Sequence, residues 1–157
     1  MQELAAYRNG LLSALEGVIP ELSSLVEAFP SRVWQVSKKP GAHTPRYILA
    51  QMCALDVYTF GSLLSIVDND VPLLPLFDEI AWMSGQYAQG KPAQVFLEEF
   101  IQLRKQEVHW LRSLSPECWS RTARHPWWGV RTLQWWVERQ LEHSLQHIAE
   151  ITSFLTM

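Results

Sequence analysis

The segment His143-Ser144-Leu145-Gln146-His147 places two histidines four residues apart. In a helix that spacing stacks both imidazoles on one face, one turn apart. It is a common way for a helix to present two nitrogen donors to one metal ion. A metal needs more protein ligands than two, so a further donor has to come from another element. The competing reading is two polar residues on a boundary face, hydrogen-bonded or solvated, because i,i+4 pairs of every type occur on helices.

Other ligand and nucleophile patterns are missing. There is no HExxH, no CxxC and no ExxH of the kind that di-iron carboxylate bundles use. Asp68-Asn69-Asp70 starts like a calcium loop but lacks its glycine and closing glutamate, and reads as a helix terminator. Gly85 to Pro92 (GQYAQGKP) approaches a phosphate-binding loop but has Pro92 where a serine or threonine would bind magnesium. No strand precedes it, so it reads as a turn and helix start, and no nucleotide cofactor is expected. No GxSxG occurs, and neither Cys53 nor Cys118 has a histidine close in sequence. His43 and His125 read as loop residues. His109 points away from the inner stripe of its helix and reads as solvent-facing.

Four amphipathic segments are long enough to position the histidine pair. The first runs from Gln2 to Phe29, with Leu4, Leu11, Leu15, Leu22 and Leu25 at helical spacing and a kink or break expected at Gly17 and Pro20. Pro30 to Gly41 reads as a loop. Thr44-Pro45 supplies an N-cap and a first-turn proline for a second helix reaching about Val67. Its inner stripe is Ile48, Met52, Leu55, Thr59, Leu63 and Ile66. A long connection to Lys91 follows, with a short helix expected over Phe77–Tyr87. Pro92 opens a third long helix with Phe96, Phe100, Leu103, Trp110 and Leu114 inward. Ser115 to Gly129 reads as a loop. Thr132 caps a fourth helix reaching about Leu155, with Leu133, Val137, Ser144, Ile148, Ile151 and Leu155 inward. No segment reads as a strand. The pattern is all-α, a four-helix bundle in one domain over residues 1–157. At about 100° per residue, His143 and His147 fall on a flank of the last stripe, sharing their direction with Trp136 and Phe154. They would face a crevice between helices, where bundle metal sites are built.

Composition narrows the function classes. A length of 157 residues with 48% hydrophobic residues supports a sizeable core. The formal net charge of -3 lacks the basic excess of a nucleic-acid binder. Two cysteines without a disulfide framework fit a reducing compartment. The start shows no signal peptide, and no apolar run approaches the ~20 residues of a spanning helix. The expectation is a cytoplasmic protein with a small-molecule partner, no nucleic acid and no membrane. Eight tryptophans are many for this length and suit core anchors or pocket walls.

The C-terminal third resembles the close of DinB/YfiT-like proteins. His125-Pro126-Trp127-Trp128-Gly129, then Thr132-Leu133, then His143-xxx-His147 and Ile151 are similar to their glycine, Thr-Leu helix start and HxxxH on the final helix. Ile48-Leu49-Ala50-Gln51-Met52, with Asp56 five residues after Gln51, resembles the family's helix-two "ILAHL" and acidic residue. Trp34 through Pro40-Gly41 resembles the approach to that helix. The resemblance spans nearly the whole chain in the right order. It implies a bundle whose second and third long helices run parallel, with the long connection as crossover. It also implies frequent homodimers and a divalent metal, often zinc or nickel, held by three histidines. His143 and His147 carry over as two ligands. Gln51 stands where the third histidine would be. A neutral amide oxygen suits zinc or nickel less well than imidazole, so such a site would hold metal more weakly. Asp56 is turned about 140° from Gln51 on an ideal helix and does not replace it, and Cys53 likewise faces elsewhere.

Two functional expectations follow. In one, Gln51, His143 and His147 hold a divalent metal that serves a hydrolase or a thiol transferase, with Trp136 lining the pocket and Trp127 and Trp128 at its mouth. In the other, the bundle has lost tight metal binding and serves as a non-catalytic small-ligand binder or dimerisation module.

Overall fold

The structure, a computed structural model, describes residues 2–85 and 90–156. Helix α1 spans Gln2–Ala28 without interruption at Gly17 or Pro20, so the break expected there does not occur. Leu11, Leu15, Val18, Leu22 and Leu25 bury one stripe on both sides of the proline, and that packing outweighs the lost backbone hydrogen bond. Leu4, expected on this stripe, is exposed.

Helix α2 spans Pro45–Asp68, and Thr44 Oγ1 accepts the Tyr47 N–H at 3.1 Å as its cap. By length and composition α2 is apolar enough to cross a membrane, with a mean hydropathy of 1.3, which the sequence reading missed. Its apolarity has a source in the fold: it packs against two other long helices and buries residues on more than one side. The crossover carries the short helix α3, Glu79–Gly85, begun by Asp78 accepting the Ala81 N–H at 3.0 Å. The expected end of this helix at Gln86–Tyr87, and half of the GQYAQGKP segment, residues 86–89, lie outside the described residues. Helix α4 spans Ala93–Ser113 and helix α5 spans Leu133–Thr152, the latter capped by Thr132 Oγ1 on the Trp135 N–H. After α5 the chain tightens into a 3₁₀ turn, Ser153–Thr156. The tighter winding brings Phe154 inward and leaves Leu155 exposed, contrary to the expected stripe.

Side-chain pairs establish the helix directions. Arg46 meets Lys91 and Phe96, Asp56 meets Arg104, and Phe60 meets Trp110, so α2 and α4 run parallel. Arg8 reaches Pro116 and Glu16 pairs with Arg112, so α1 runs antiparallel to α4. Leu49 clusters with Ile151 and Leu63 clusters with Leu133, so α5 is antiparallel to α2. The result is a four-helix bundle whose parallel pair requires the long crossover.

The Ser115–Gly129 segment is not wholly loop, and the expectation of no strand is corrected. Thr122–His125 (β1) and Gly129–Thr132 (β2) form an antiparallel hairpin, with His125 opposite Gly129. Each strand has four residues and neither alternates apolar with polar, so periodicity could not reveal them. Three residues, Pro126 to Trp128, turn the chain, and Gly129 takes the left-handed conformation (φ 70°) that such hairpins need. The crossover docks on β1: Leu74 N–H donates to Arg124 O and Arg124 N–H donates to Pro72 O, both at 2.8 Å.

The core has two apolar halves with a polar layer between them. One half gathers Leu49, Phe96, Phe100 and Ile151; the other gathers Leu15, Leu63, Leu111 and Val137. Between them, Arg104 and Glu107 occupy inward positions on α4. The inner face of α4 therefore runs Phe96, Phe100, Arg104, Val108, Leu111, while Leu103, Trp110 and Leu114 are only half-buried. Two charged residues on the stripe had displaced the apparent apolar face by one position. Leu55, also expected inward, is half-buried for a different reason: it lines a cavity.

Candidate functional site

The polar layer orients α5. Arg104 is fully buried and donates from Nε to Asp56 Oδ2 and from Nη2 to Asp56 Oδ1, both at 2.9 Å. Nη2 also donates to Ser144 Oγ at 2.9 Å, and Nη1 donates to Leu15 O at 3.0 Å. One guanidinium therefore ties α4 to α1, α2 and α5. Burial works against its charge, but the Asp56 carboxylate outweighs that and keeps it protonated. Asp56 is thus committed to an ion pair and takes no place beside Gln51, as its helical angle had implied.

With Ser144 turned to the centre, about 100° per residue places Trp136, Arg139, Gln140, His143 and His147 on one flank of α5. Trp136, Arg139, Gln140 and His143 on that flank line a cavity of about 260 Å³ between α2, α5, the crossover and the hairpin, while His147, one turn further along, does not line it. Tyr58, Phe77, Trp127, Trp128 and Trp136 form aromatic walls, and Glu79, His125, Arg139, Gln140 and His143 supply polar groups. The expected pocket positions of Trp136, Trp127 and Trp128 are those seen, with Trp136 buried and Trp127 exposed.

His143 and His147 are half-buried, with ring centroids 6.2 Å apart. Neither makes a hydrogen bond to another described residue. Burial lowers the pKa of both; the Arg139 charge and His147 add to the effect at His143, while Asp56 opposes it at His147. Both rings are therefore held neutral, the form that binds metal.

Gln51 is hydrogen-bonded elsewhere. Its Nε2 donates to Glu79 Oε1 at 3.2 Å, and Tyr47 Oη donates to the same carboxylate oxygen. Gln51 makes no hydrogen bond to either histidine, and its Oε1 is unclaimed. The register that puts Asp56 between Gln140 and Ser144 brings Gln51 level with His147 along the antiparallel helices. Among the described residues, no three His, Cys, Asp or Glu side chains form a metal-holding group. As donor types, two neutral imidazoles and one amide oxygen suit a divalent ion only weakly. The imidazoles also lack the hydrogen-bonded partners that usually reinforce histidine ligands.

A model of the DinB superfamily matches residues 14–151. The chain belongs to the DinB superfamily. Its fold is similar to that of YfiT from Bacillus subtilis, described as a probable metal-dependent hydrolase with an unusual four-helix bundle topology. The similarity has a TM-score of 0.85 at 21% sequence identity and covers 93% of this chain and 84% of that one. No curated protein matches the chain in sequence.

Within this DinB bundle, the remaining candidates separate from the site. Cys53 is buried, its thiol donates to Phe96 O at 2.9 Å, and burial pushes its pKa up, so no thiolate nucleophile forms there. His109 is exposed, as its helical angle had implied. His43 stacks on Tyr47 at 4.0 Å. His125, taken as a loop residue, is a buried strand residue at the cavity. Sequence reading also passed over Arg139, Gln140 and Glu79. Arg139 carried a usable signal, standing four residues before His143 on the same flank; Glu79 sits in the crossover, where no periodicity marks it.

Proposed function

We propose that the chain is a metal-assisted DinB-type enzyme acting on a small molecule held beside His143. The observation that carries this reading is the pair of neutral imidazoles, without a hydrogen-bond partner among the described residues, of which His143 lines an aromatic cavity. His143, His147 and the Gln51 amide oxygen would hold the ion, zinc or nickel, which when bound supplies Lewis acidity and lowers the pKa of a water or thiol. Glu79 fixes which end of the Gln51 amide faces its neighbours by accepting from Nε2, leaving the oxygen as donor. The Asp56 carboxylate attracts positive charge at His147. The aromatic walls exclude water from a bound substrate, and hydrolysis or thiol transfer both fit such a site.

A non-catalytic, small-ligand-binding bundle is the second reading, favoured by the missing third His, Cys or carboxylate ligand among the described residues. Metal analysis of protein purified without an affinity tag separates the two. Stoichiometric zinc or nickel that is lost in His147→Ala supports the enzyme, and Gln51→His should then tighten zinc binding at least ten-fold. Metal-free protein whose melting temperature does not move with either ion overturns it.

A further inference from the structure

Three hydrogen-bond donors lining the aromatic cavity lack a protein acceptor among the described residues. The indole Nε1–H of Trp136 is buried without a partner. Arg139 lies over the faces of Trp128 and Trp135, with its guanidinium carbon 4.2 and 5.6 Å from their centroids. Those stacking contacts hold the guanidinium plane and leave its edge donors unused; Glu142 influences its charge but forms no ion pair with it. His125 Nδ1 accepts the Trp127 and Trp128 backbone N–H groups at 3.1 and 3.2 Å. Two donors converging on one ring nitrogen require it to be unprotonated, so the neutral ring carries its hydrogen on Nε2. The His125 ring packs 5.4 Å from Trp136, and Nε2 likewise has no protein acceptor.

Of the three, the Trp136 indole N–H is the buried one without a partner, and buried donors are rarely left unmatched. One cationic fork and two neutral N–H groups lining one cavity, within an aromatic enclosure, select an oxyanion on an apolar body. We propose that this cavity binds a small carboxylate, held by Arg139, Trp136 Nε1–H and His125 Nε2–H, with its apolar body against the aromatic walls. A single negative charge matches the single guanidinium. A phosphate dianion would carry excess charge toward Glu79, which lines the same cavity. The volume of about 260 Å³ lies below the usual range for drug-sized ligands and admits a compact molecule. The proposal deepens the reading of this cavity as a substrate site and rests on it for the ligand's place beside His143; the anion contacts need no metal.

The test uses full-length protein stripped with a chelator and then desalted, titrated with benzoate, benzamide and phenylphosphonate. Benzoate should bind at least ten-fold more tightly than its neutral analogue benzamide and should shift the Trp136 indole N–H resonance. Arg139→Gln should weaken benzoate at least ten-fold and leave benzamide unchanged, and Trp136→Phe should weaken benzoate while keeping the ring. Benzoate binding no tighter than benzamide, or indifferent to Arg139→Gln, overturns the proposal. Tighter phenylphosphonate than benzoate overturns the carboxylate assignment. Zinc titration of the same variants keeps the two readings apart, since metal binding should be lost in His147→Ala and not weakened by Arg139→Gln, which removes a charge that opposes a cation at His143.

Discussion

Glu107 provides the sharpest test of the polar layer. It is buried, and Gln140 Nε2 donates to its Oε1 at 3.0 Å and to Asp56 Oδ1 at 3.1 Å. All hydrogen bonds of Arg104 go to Asp56, Ser144 and Leu15, and none to Glu107. Glu107 Oε2 and Gln140 Oε1 are both buried without a partner, a mismatch that a proton on Oε2 resolves by donation to the amide oxygen. Burial, then the Asp56 charge, push Glu107 up to about 8 against the pull of Arg104 and Gln140. The unfolded chain releases this proton near 4.5, so the folded state holds one proton more between those values. Stability from this group is full below the unfolded value and is lost as pH rises toward the folded one. At about 1.4 kcal/mol per pH unit, the loss between pH 5 and pH 8 is on the order of 3 kcal/mol. Glu107→Gln replaces the neutral acid by an amide of the same shape, which can donate to Gln140 Oε1 and cannot ionise. Urea unfolding at pH 5, 6, 7 and 8 should show the variant gaining on the parent chain from near zero to that magnitude. His125, His143 and His147, held below their ordinary pKa by burial, act in the opposite direction, losing stability as pH falls below 6.5. They are common to both proteins and cancel in the difference. A difference that stays constant with pH would show Glu107 ionised in the fold and refute the reasoning.

Two further outcomes follow. Arg104→Met leaves the Asp56 carboxylate buried and unpaired, and urea unfolding at pH 7 should show a loss of about 3–5 kcal/mol; adding Asp56→Asn should recover part of it. Thr132→Ala removes the cap on the Trp135 N–H and should cost about 1 kcal/mol in the same assay, with zinc binding unchanged.

The long helices were legible because their signals are local. Thr44 and Thr132 cap where their types and the following residues said they would, and the leucine spacing of α1 survives an internal proline. Three kinds of information were not local. The hairpin is defined by its pairing with itself and by the docking of Pro72 and Leu74, which four-residue strands cannot announce. The α4 stripe was misplaced because Arg104 and Glu107 fill core positions that a hydrophobic pattern reads as surface. Only their partners on α1, α2 and α5 make those positions tolerable. The polar residues of the cavity were partly legible: His143 through its spacing and resemblance, Glu79 not at all, and His125 only as part of a motif read as loop, since chain folding alone brings the crossover and hairpin against α5.

The ionic layer and the cavity are linked through one helix rotation. Ser144 is adjacent in sequence to His143, and its hydroxyl is held by a guanidinium that also grips α1, α2 and their register. Were α5 packed by apolar contacts alone, small rotations would trade one large side chain for another at modest cost. A fully buried arginine removes that freedom, because turning Ser144 or Gln140 away would strand hydrogen-bonding groups in the core. The flank bearing Arg139, His143 and His147 is therefore set largely by Arg104, Asp56 and Ser144, none of which lines the cavity. Replacing Arg104 and Asp56 together with well-packed apolar residues could preserve stability, yet it should broaden the Trp136 indole resonance and weaken benzoate. Unchanged ligand binding in such a repacked variant would show that the apolar core suffices to orient α5.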